Sequence, residues 1–167
     1  MHVMSKVTLA IASIGLAMLF TSVPPVQAQT TVAPAAPLPS QIIAAKRVFI
    51  SNTGSGFDSR VWSGNSDRIY NEFYAAVKSS GQFELASAPG DADLVLDVNV
   101  VPYSVFWQFK LEILDPKTRI VLWTIYEPLN IGGLQKTRDK NFDGTIDRLA
   151  GDLKTLTAQS AATNASR

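Results

Sequence analysis

The chain has 167 residues, of which 46% are hydrophobic and 17% are charged, and its formal net charge at pH 7 is +1. This length and composition predict a single globular domain. A net charge so close to zero supplies no electrostatic reason to bind nucleic acid or an anionic membrane, so we expect neither as a partner.

The first segment, residues 1–28, has the three parts of a secretory signal peptide. Lys6 supplies a positive start, residues 7–20 form an apolar run, and residues 26–28 (Val-Gln-Ala) form a small-residue cleavage site. The apolar run is shorter than the roughly 20 residues that a membrane-spanning helix needs. We therefore predict cleavage after this segment, export to the periplasm or the medium, and no stable membrane insertion of the mature chain.

Export would also limit the chemistry of the protein, because the signal peptide contains the only histidine, His2, and the chain has no cysteine. Without either residue type, the mature chain cannot form a Cys–His or Ser–His–Asp nucleophile pair. It also cannot form a zinc site of the usual Cys/His kind. We therefore expect a non-enzymatic protein that holds no cofactor and no metal.

The segment at residues 29–45 is rich in alanine and proline and predicts an extended linker. A short apolar strand follows at residues 48–51. Ser66 is then a helix N-cap and Gly81 a helix stop, and between them apolar residues recur at helical spacing. A second short strand is predicted at residues 83–86.

The second half of the chain predicts an antiparallel meander and a final helix. Apolar and polar residues alternate in three runs, at residues 94–101, 107–113 and 120–126, and Pro128 ends the last run. An apolar stripe then predicts a helix from residue 139 or 141 to 157, and residues 158–167 predict a disordered tail.

These elements follow the order β-α-β-β-β-β-α within one domain, residues 46–157. They predict the α+β class, specifically a two-layer sandwich. We expect a mixed or antiparallel sheet of about five strands with two helices on one face.

Three segments resemble the amino-terminal domain of the periplasmic TolB family. They are GQFEL at residues 81–85, DADLVL at residues 91–96 and LDPKTRIV at residues 114–121. The resemblance covers residues 46–157, which leaves no room for the β-propeller that follows this domain in TolB. It implies a soluble periplasmic interaction module and carries over no catalytic residue.

The segment at residues 139–147 matches the opening of an EF-hand calcium loop. Its oxygen ligands would be Asp139, Asn141, Asp143 and Asp147. However, Ala150 occupies the position of the closing acidic ligand, and Phe142 continues the apolar stripe of the final helix. We therefore predict a helix start here, and calcium binding remains an alternative.

A contact surface is the functional site that the sequence favours most. The aromatic residues without an obvious place in the core and a short basic cluster make up this candidate surface, which comprises Phe57, Trp62, Phe106, Lys136 and Arg138. Asp97, on the polar face of its strand, is predicted to pair with Lys110 on the next strand.

From these observations we predict a non-enzymatic exported binding or interaction module of the bacterial cell envelope with an envelope protein as its partner. One alternative is a carboxylate-dependent hydrolase that acts on an envelope or sugar substrate, which would need a concave pocket holding two acidic side chains. The other is a module stabilised by calcium through residues 139–147.

Overall fold

The computed structural model describes residues 37–165, except residues 54–55 and 105 and the side chains of residues 159–165. The predicted signal peptide and residues 29–36 of the predicted linker lie outside this range, so export and cleavage stay predictions. Within the described range, no helix combines the length and the apolar character needed to cross a membrane.

One layer of the fold is a five-stranded mixed sheet with the spatial order β2-β1-β3-β4-β5. Its strands are β1 (Arg47–Ser51), β2 (Glu84–Leu85), β3 (Leu94–Tyr103), β4 (Phe106–Leu114) and β5 (Val121–Leu129). Strand β1 runs parallel to β2 and β3, whereas β3, β4 and β5 form an antiparallel meander. The predicted α+β class and two-layer architecture are therefore confirmed.

The second layer consists of helices that pack against one face of this sheet. They are α1 (Ser40–Ala44), α2 (Asp67–Ser80) and α3 (Gln135–Ala165), and a 3₁₀ turn spans Pro89–Asp91. Strand residues with period two and helix residues with a period near 3.6 meet in one core. Its largest fully buried members include Phe73, Leu96, Phe109, Leu111, Phe142 and Leu149.

Helix α1 corrects the predicted linker, because residues 40–44 are helical instead of extended. Ile42 is fully buried in the core, which anchors this short helix. Gln41 Nε2 also donates to Asp115 Oδ2 at 2.8 Å. The alanine- and proline-rich composition of the segment conceals one apolar side chain that is buried only when the rest of the domain is in place.

Helix α3 is longer at both ends than predicted. It begins at Gln135 and continues to Ala165, through most of the segment predicted as a disordered tail. Near its start, the Leu134 carbonyl accepts hydrogen bonds from the amides of Thr137 and Arg138. The apolar stripe marks only the part of the helix that faces the sheet, so it gives no signal for the turns beyond the core.

Pro128 does not end the last strand, because β5 continues through it to Leu129. Strand β5 lies at the edge of the sheet, with only β4 as its neighbour among the described strands. A proline has no amide N–H to donate to a neighbouring strand, and an edge strand tolerates proline where that position faces away from the sheet.

Candidate functional site

The face of the sheet opposite the helices carries the exposed side chains of the meander. We call it the open face; it comprises the odd-numbered residues of β3 from Asp97 on, the even-numbered residues of β4, and residues 124, 126 and 128 of β5. Directly opposed residues of antiparallel strands share a face, and the register pairs Val101 with Gln108 and Asn99 with Lys110. Helices α2 and α3 share a core with residues of the opposite face, such as Leu96, Val98, Phe109 and Leu111.

Three exposed aromatic side chains lie on the open face, and we call them the aromatic patch. Tyr103 and Phe106 are directly opposed at the β3–β4 turn, and each is 65% exposed. Tyr126 is 52% exposed on β5, opposite Lys110. The turn is tight, with Ser104 in the left-handed region at φ 55°. Single exposed aromatic residues are ordinary, but three on one face of the sheet make this face a candidate contact surface.

A polar centre lies beside the aromatic patch, and its pairing differs from the prediction. Lys110 Nζ lies 2.7 Å from Glu112 Oε1 on its own strand, and hydrogen bonding to Glu112 raises the pKa of Lys110. Asp97 opposes Glu112 and accepts a hydrogen bond from Thr53. The prediction that Asp97 lies directly opposite Lys110 is therefore wrong, since the register places Asn99 there, although the charge of Asp97 also helps to raise the pKa of Lys110.

The predicted contact residues are not brought together. Phe106 is exposed, but Trp62 is fully buried and so cannot belong to a surface. Its ring lies 5.5 Å from that of Phe142, 5.9 Å from that of Trp107 and 6.1 Å from that of Phe57, which is itself half-buried. The loop before α2 folds inward because burying a large aromatic side chain is strongly favourable.

The predicted basic cluster also separates. Lys136 is exposed on the first turn of α3, but the Arg138 guanidinium is engaged within the fold. It donates to the Val61 carbonyl at 2.8 Å, to the Gly133 carbonyl at 2.6 Å and to Gln135 Oε1 at 2.9 Å. Arg138 therefore ties the loop before α2 to the start of α3.

The four calcium-like residues all lie on α3, as the prediction of a helix over this segment requires. Asp139 and Asp143 accept hydrogen bonds from Arg68, and Asn141 donates its amide to the Asn130 carbonyl at 3.1 Å. Among the residues that the structure describes, no group of three or more His, Cys, Asp or Glu side chains is placed to hold a metal ion. A calcium loop would require this helical segment to bend away from Arg68.

A groove of about 440 Å³ between α2 and α3 holds acidic side chains. Glu72, Asp143 and Asp147 line it, together with alanine, serine and isoleucine side chains. Arg68 binds Glu72 and Asp143 at 2.5 Å each, and Asp139 at 2.8 Å. Neither Arg68 nor Glu72 is among the predicted site residues, although their i,i+4 spacing on a predicted helix indicates an ion pair.

The ionisation of this group follows from its surroundings. Burial raises the pKa of Glu72 to about 7, with Arg68 opposing the rise and hydrogen bonding to Asp143 adding to it. Burial by itself would raise the pKa of Asp139. Hydrogen bonds from Ser63 and Arg68 outweigh this effect and lower the pKa of that residue. The carboxylates are thus held by one guanidinium and differ in their affinity for a proton.

Comparison with known proteins identifies no family, since no family model matches the chain and no curated protein is similar to it. Solved structures that are similar include a dodecamer of a PelC variant from Paraburkholderia phytofirmans. It is 14% identical over 63% of this chain and 88% of that chain, with a TM-score of 0.39. Protein XCC0632 from Xanthomonas campestris, described as DUF330, is 10% identical over 80% and 93%, with a TM-score of 0.44.

These similarities correct the resemblance to TolB, because the structures found are PelC and a DUF330 protein and not the TolB domain. The segments that carried the resemblance contain local structural motifs, such as a helix cap and a turn. Gly81 caps the C-terminus of α2 in the left-handed backbone conformation. Asp115 accepts hydrogen bonds from the amides of Lys117 and Thr118 in a turn. Many unrelated α+β folds use such caps and turns.

Proposed function

We propose that this chain is an exported, non-enzymatic binding module of the bacterial cell envelope and that it contacts a protein partner through the aromatic patch. The observation that carries this proposal is the side-by-side exposure of Tyr103 and Phe106 at the β3–β4 turn. Water is displaced from such aromatic surface when a partner covers it, which favours association.

The surroundings of the patch also support a protein partner. Protein interfaces combine an apolar centre with a polar rim. Along β4, Gln108 follows Phe106 on the same face, and the ion pair of Lys110 and Glu112 comes next. These groups offer amide, ammonium and carboxylate partners for hydrogen bonds around an aromatic centre.

The alternative of a carboxylate-dependent hydrolase has weaker support. The groove between α2 and α3 does hold two or more acidic side chains. However, glycoside hydrolysis needs two carboxyl groups about 5–9.5 Å apart on either side of the substrate bond. Glu72 and Asp143 instead bind the same guanidinium, so they act as one cluster.

Site-specific photo-crosslinking from the patch tests the proposal. A photoreactive amino acid replaces Phe106 in the full chain, expressed in its own host. As a matched control, the same group replaces Lys154, which is exposed on α3. We expect a discrete protein adduct from position 106 and none from position 154, and we expect Tyr103→Ser to weaken the adduct without lowering stability.

Two outcomes would contradict this proposal. One is the absence of an adduct at position 106, and the other is the same set of adducts from both positions. An adduct that contains only two copies of this chain would also contradict the proposal of a separate envelope partner, because it would show that the patch mediates self-association.

A further inference from the structure

The contact between α2 and α3 is organised around a single guanidinium. Arg68 on α2 donates Nε–H to Glu72 Oε1, Nη1–H to Asp139 Oδ1, and Nη2–H to Asp143 Oδ1, over 2.5 to 2.8 Å. Its Nη1 also donates to the Ser63 carbonyl at 2.7 Å. The guanidinium carbon lies 4.5 Å from the centre of the Phe142 ring, so the cation is held on the edge of the core.

The charges of this cluster do not balance when every carboxyl group is ionised. One arginine then faces the carboxylates of Glu72, Asp139 and Asp143, and its side chain is only 14% exposed. Repulsion between carboxylates held this close favours the uptake of a proton.

Glu72 is the place where the structure favours that proton. Its Oε1 accepts from Arg68, but Oε2 is buried and no donor from the described part of the chain reaches it. A buried carboxylate oxygen without a donor is costly, whereas a protonated carboxyl can donate to a neighbouring carboxylate.

We propose that Glu72 and Asp143 share one proton and thereby form a pH-sensitive clasp between α2 and α3. When the proton is present, the Glu72 carboxyl donates to Asp143 while Arg68 holds both groups. When the proton leaves, the two carboxylates repel each other, and this repulsion weakens the packing of α2 against α3.

The direction of the pH effect follows from the change in proton affinity on folding. The pKa of Glu72 is about 7 in the folded chain, against an ordinary value of 4.5. The folded state therefore binds the proton more tightly than the unfolded state does. The resulting stabilisation is fully present below pH 4.5 and is lost as the pH rises through about 7.

The charged groups that face Glu72 are few. On its own helix the neighbour is Arg68, and on α3 the neighbours are Asp143 and Asp147, which line the same groove, and Asp139, which binds the same arginine. Of these, Arg68 stays ionised throughout, because its hydrogen bonds to the three carboxylates raise its pKa although burial opposes the change. A transition near neutral pH that disappears when Glu72 is replaced therefore reports on the Glu72–Asp143 pair.

Urea unfolding of the full chain between pH 5.5 and 8.5 tests the clasp. We expect the unfolding midpoint of the unmodified protein to fall across this range. In Glu72→Gln, which mimics the neutral carboxyl, the midpoint should be nearly constant. Glu84→Gln is the matched control on the exposed strand β2, and it should show the same fall as the unmodified protein.

Two further measurements keep the test decisive if Glu72→Gln folds poorly. Asp143→Asn removes the carboxylate that shares the proton, so the pH at which stability falls should move to a lower value. Carbon-13 NMR titration of the Glu72 carboxyl should give a midpoint near 7. A midpoint below 5, or an equal fall of stability in the unmodified protein and in Glu72→Gln, would overturn the proposal.

Discussion

The two faces of the meander are built from the same strands but differ in every other respect. On β4, Phe109, Leu111 and Ile113 are fully buried under the helices, while the residues between them, Lys110 and Glu112, face away. The covered face is closed by aromatic and aliphatic contacts with α2 and α3. The open face instead carries an ion pair and the exposed aromatic patch.

If the proposed function is correct, this difference separates stability from recognition within one sheet. Burial of apolar area is the main source of folding free energy, so the covered face should dominate stability. The open face contributes little to the core, so substitutions of its aromatic side chains should have little effect on stability. Substitutions on the two faces should consequently differ in size and in kind.

The largest expected effect is at Phe142, which joins the covered face to the Arg68 cluster. Its ring lies 5.0 Å from that of Phe109 and beneath the Arg68 guanidinium. Phe142→Ala should reduce the free energy of unfolding by about 3–5 kcal/mol, because it leaves a cavity in a close-packed core. Urea unfolding measures this change, and a loss below about 1 kcal/mol would contradict the assignment of this ring to the core.

Neighbouring residues on β4 provide the most direct test of the difference between faces. Trp107 packs against Trp62, so Trp107→Ala should cost about 2–3 kcal/mol, somewhat less than for a completely buried ring. Phe106→Ala should cost less than about 1 kcal/mol, since the side chain is mostly exposed. Equal losses in chemical denaturation would mean that the strand register is wrong by one residue.

A smaller effect of opposite sign is expected on α3. Gly144 lies within the helix, and a Cβ there would meet only Arg148 Nη1, at 3.9 Å. Gly144→Ala should therefore raise the unfolding free energy by about 0.5–1 kcal/mol, because alanine loses less backbone entropy in a helix. Gly151→Ala, where a Cβ meets nothing within 4 Å, is the control and should raise the free energy of unfolding by a similar amount. Destabilisation by Gly144→Ala in thermal unfolding would speak against the helical assignment.

The smallest effect is expected at the polar centre of the open face. Lys110→Ala removes the ion pair with Glu112, and both side chains are partly exposed. We expect a loss of at most about 0.5 kcal/mol, which decreases at high salt because ions screen the pair. Unfolding at low and at high ionic strength measures both quantities. A loss as large as that of Trp107→Ala would remove the distinction between the faces.

Local patterns in the sequence determined most of the architecture. Alternation over residues 94–101 identified the strand and its buried side, and the spacing of Ile69, Phe73 and Val77 identified α2 and the face that it buries. The same alternation assigned Trp107 to the core and left Phe106 outside it. These assignments succeeded because the periods of strands and helices are properties of consecutive residues.

Tertiary structure alone decided the features that join distant segments. Trp62 showed no period and lies at the centre of an aromatic cluster that includes Trp107 and Phe142. Lys110 binds Glu112, two residues along its own strand, and the strand register places Asn99 instead of Asp97 directly opposite Lys110. The i,i+4 spacing of Arg68 and Glu72 was visible in the sequence, but the bonds from Arg68 to Asp139 and Asp143 were not. Those bonds connect positions more than 70 residues apart, and no local pattern encodes a contact that exists only after α3 has packed beside α2.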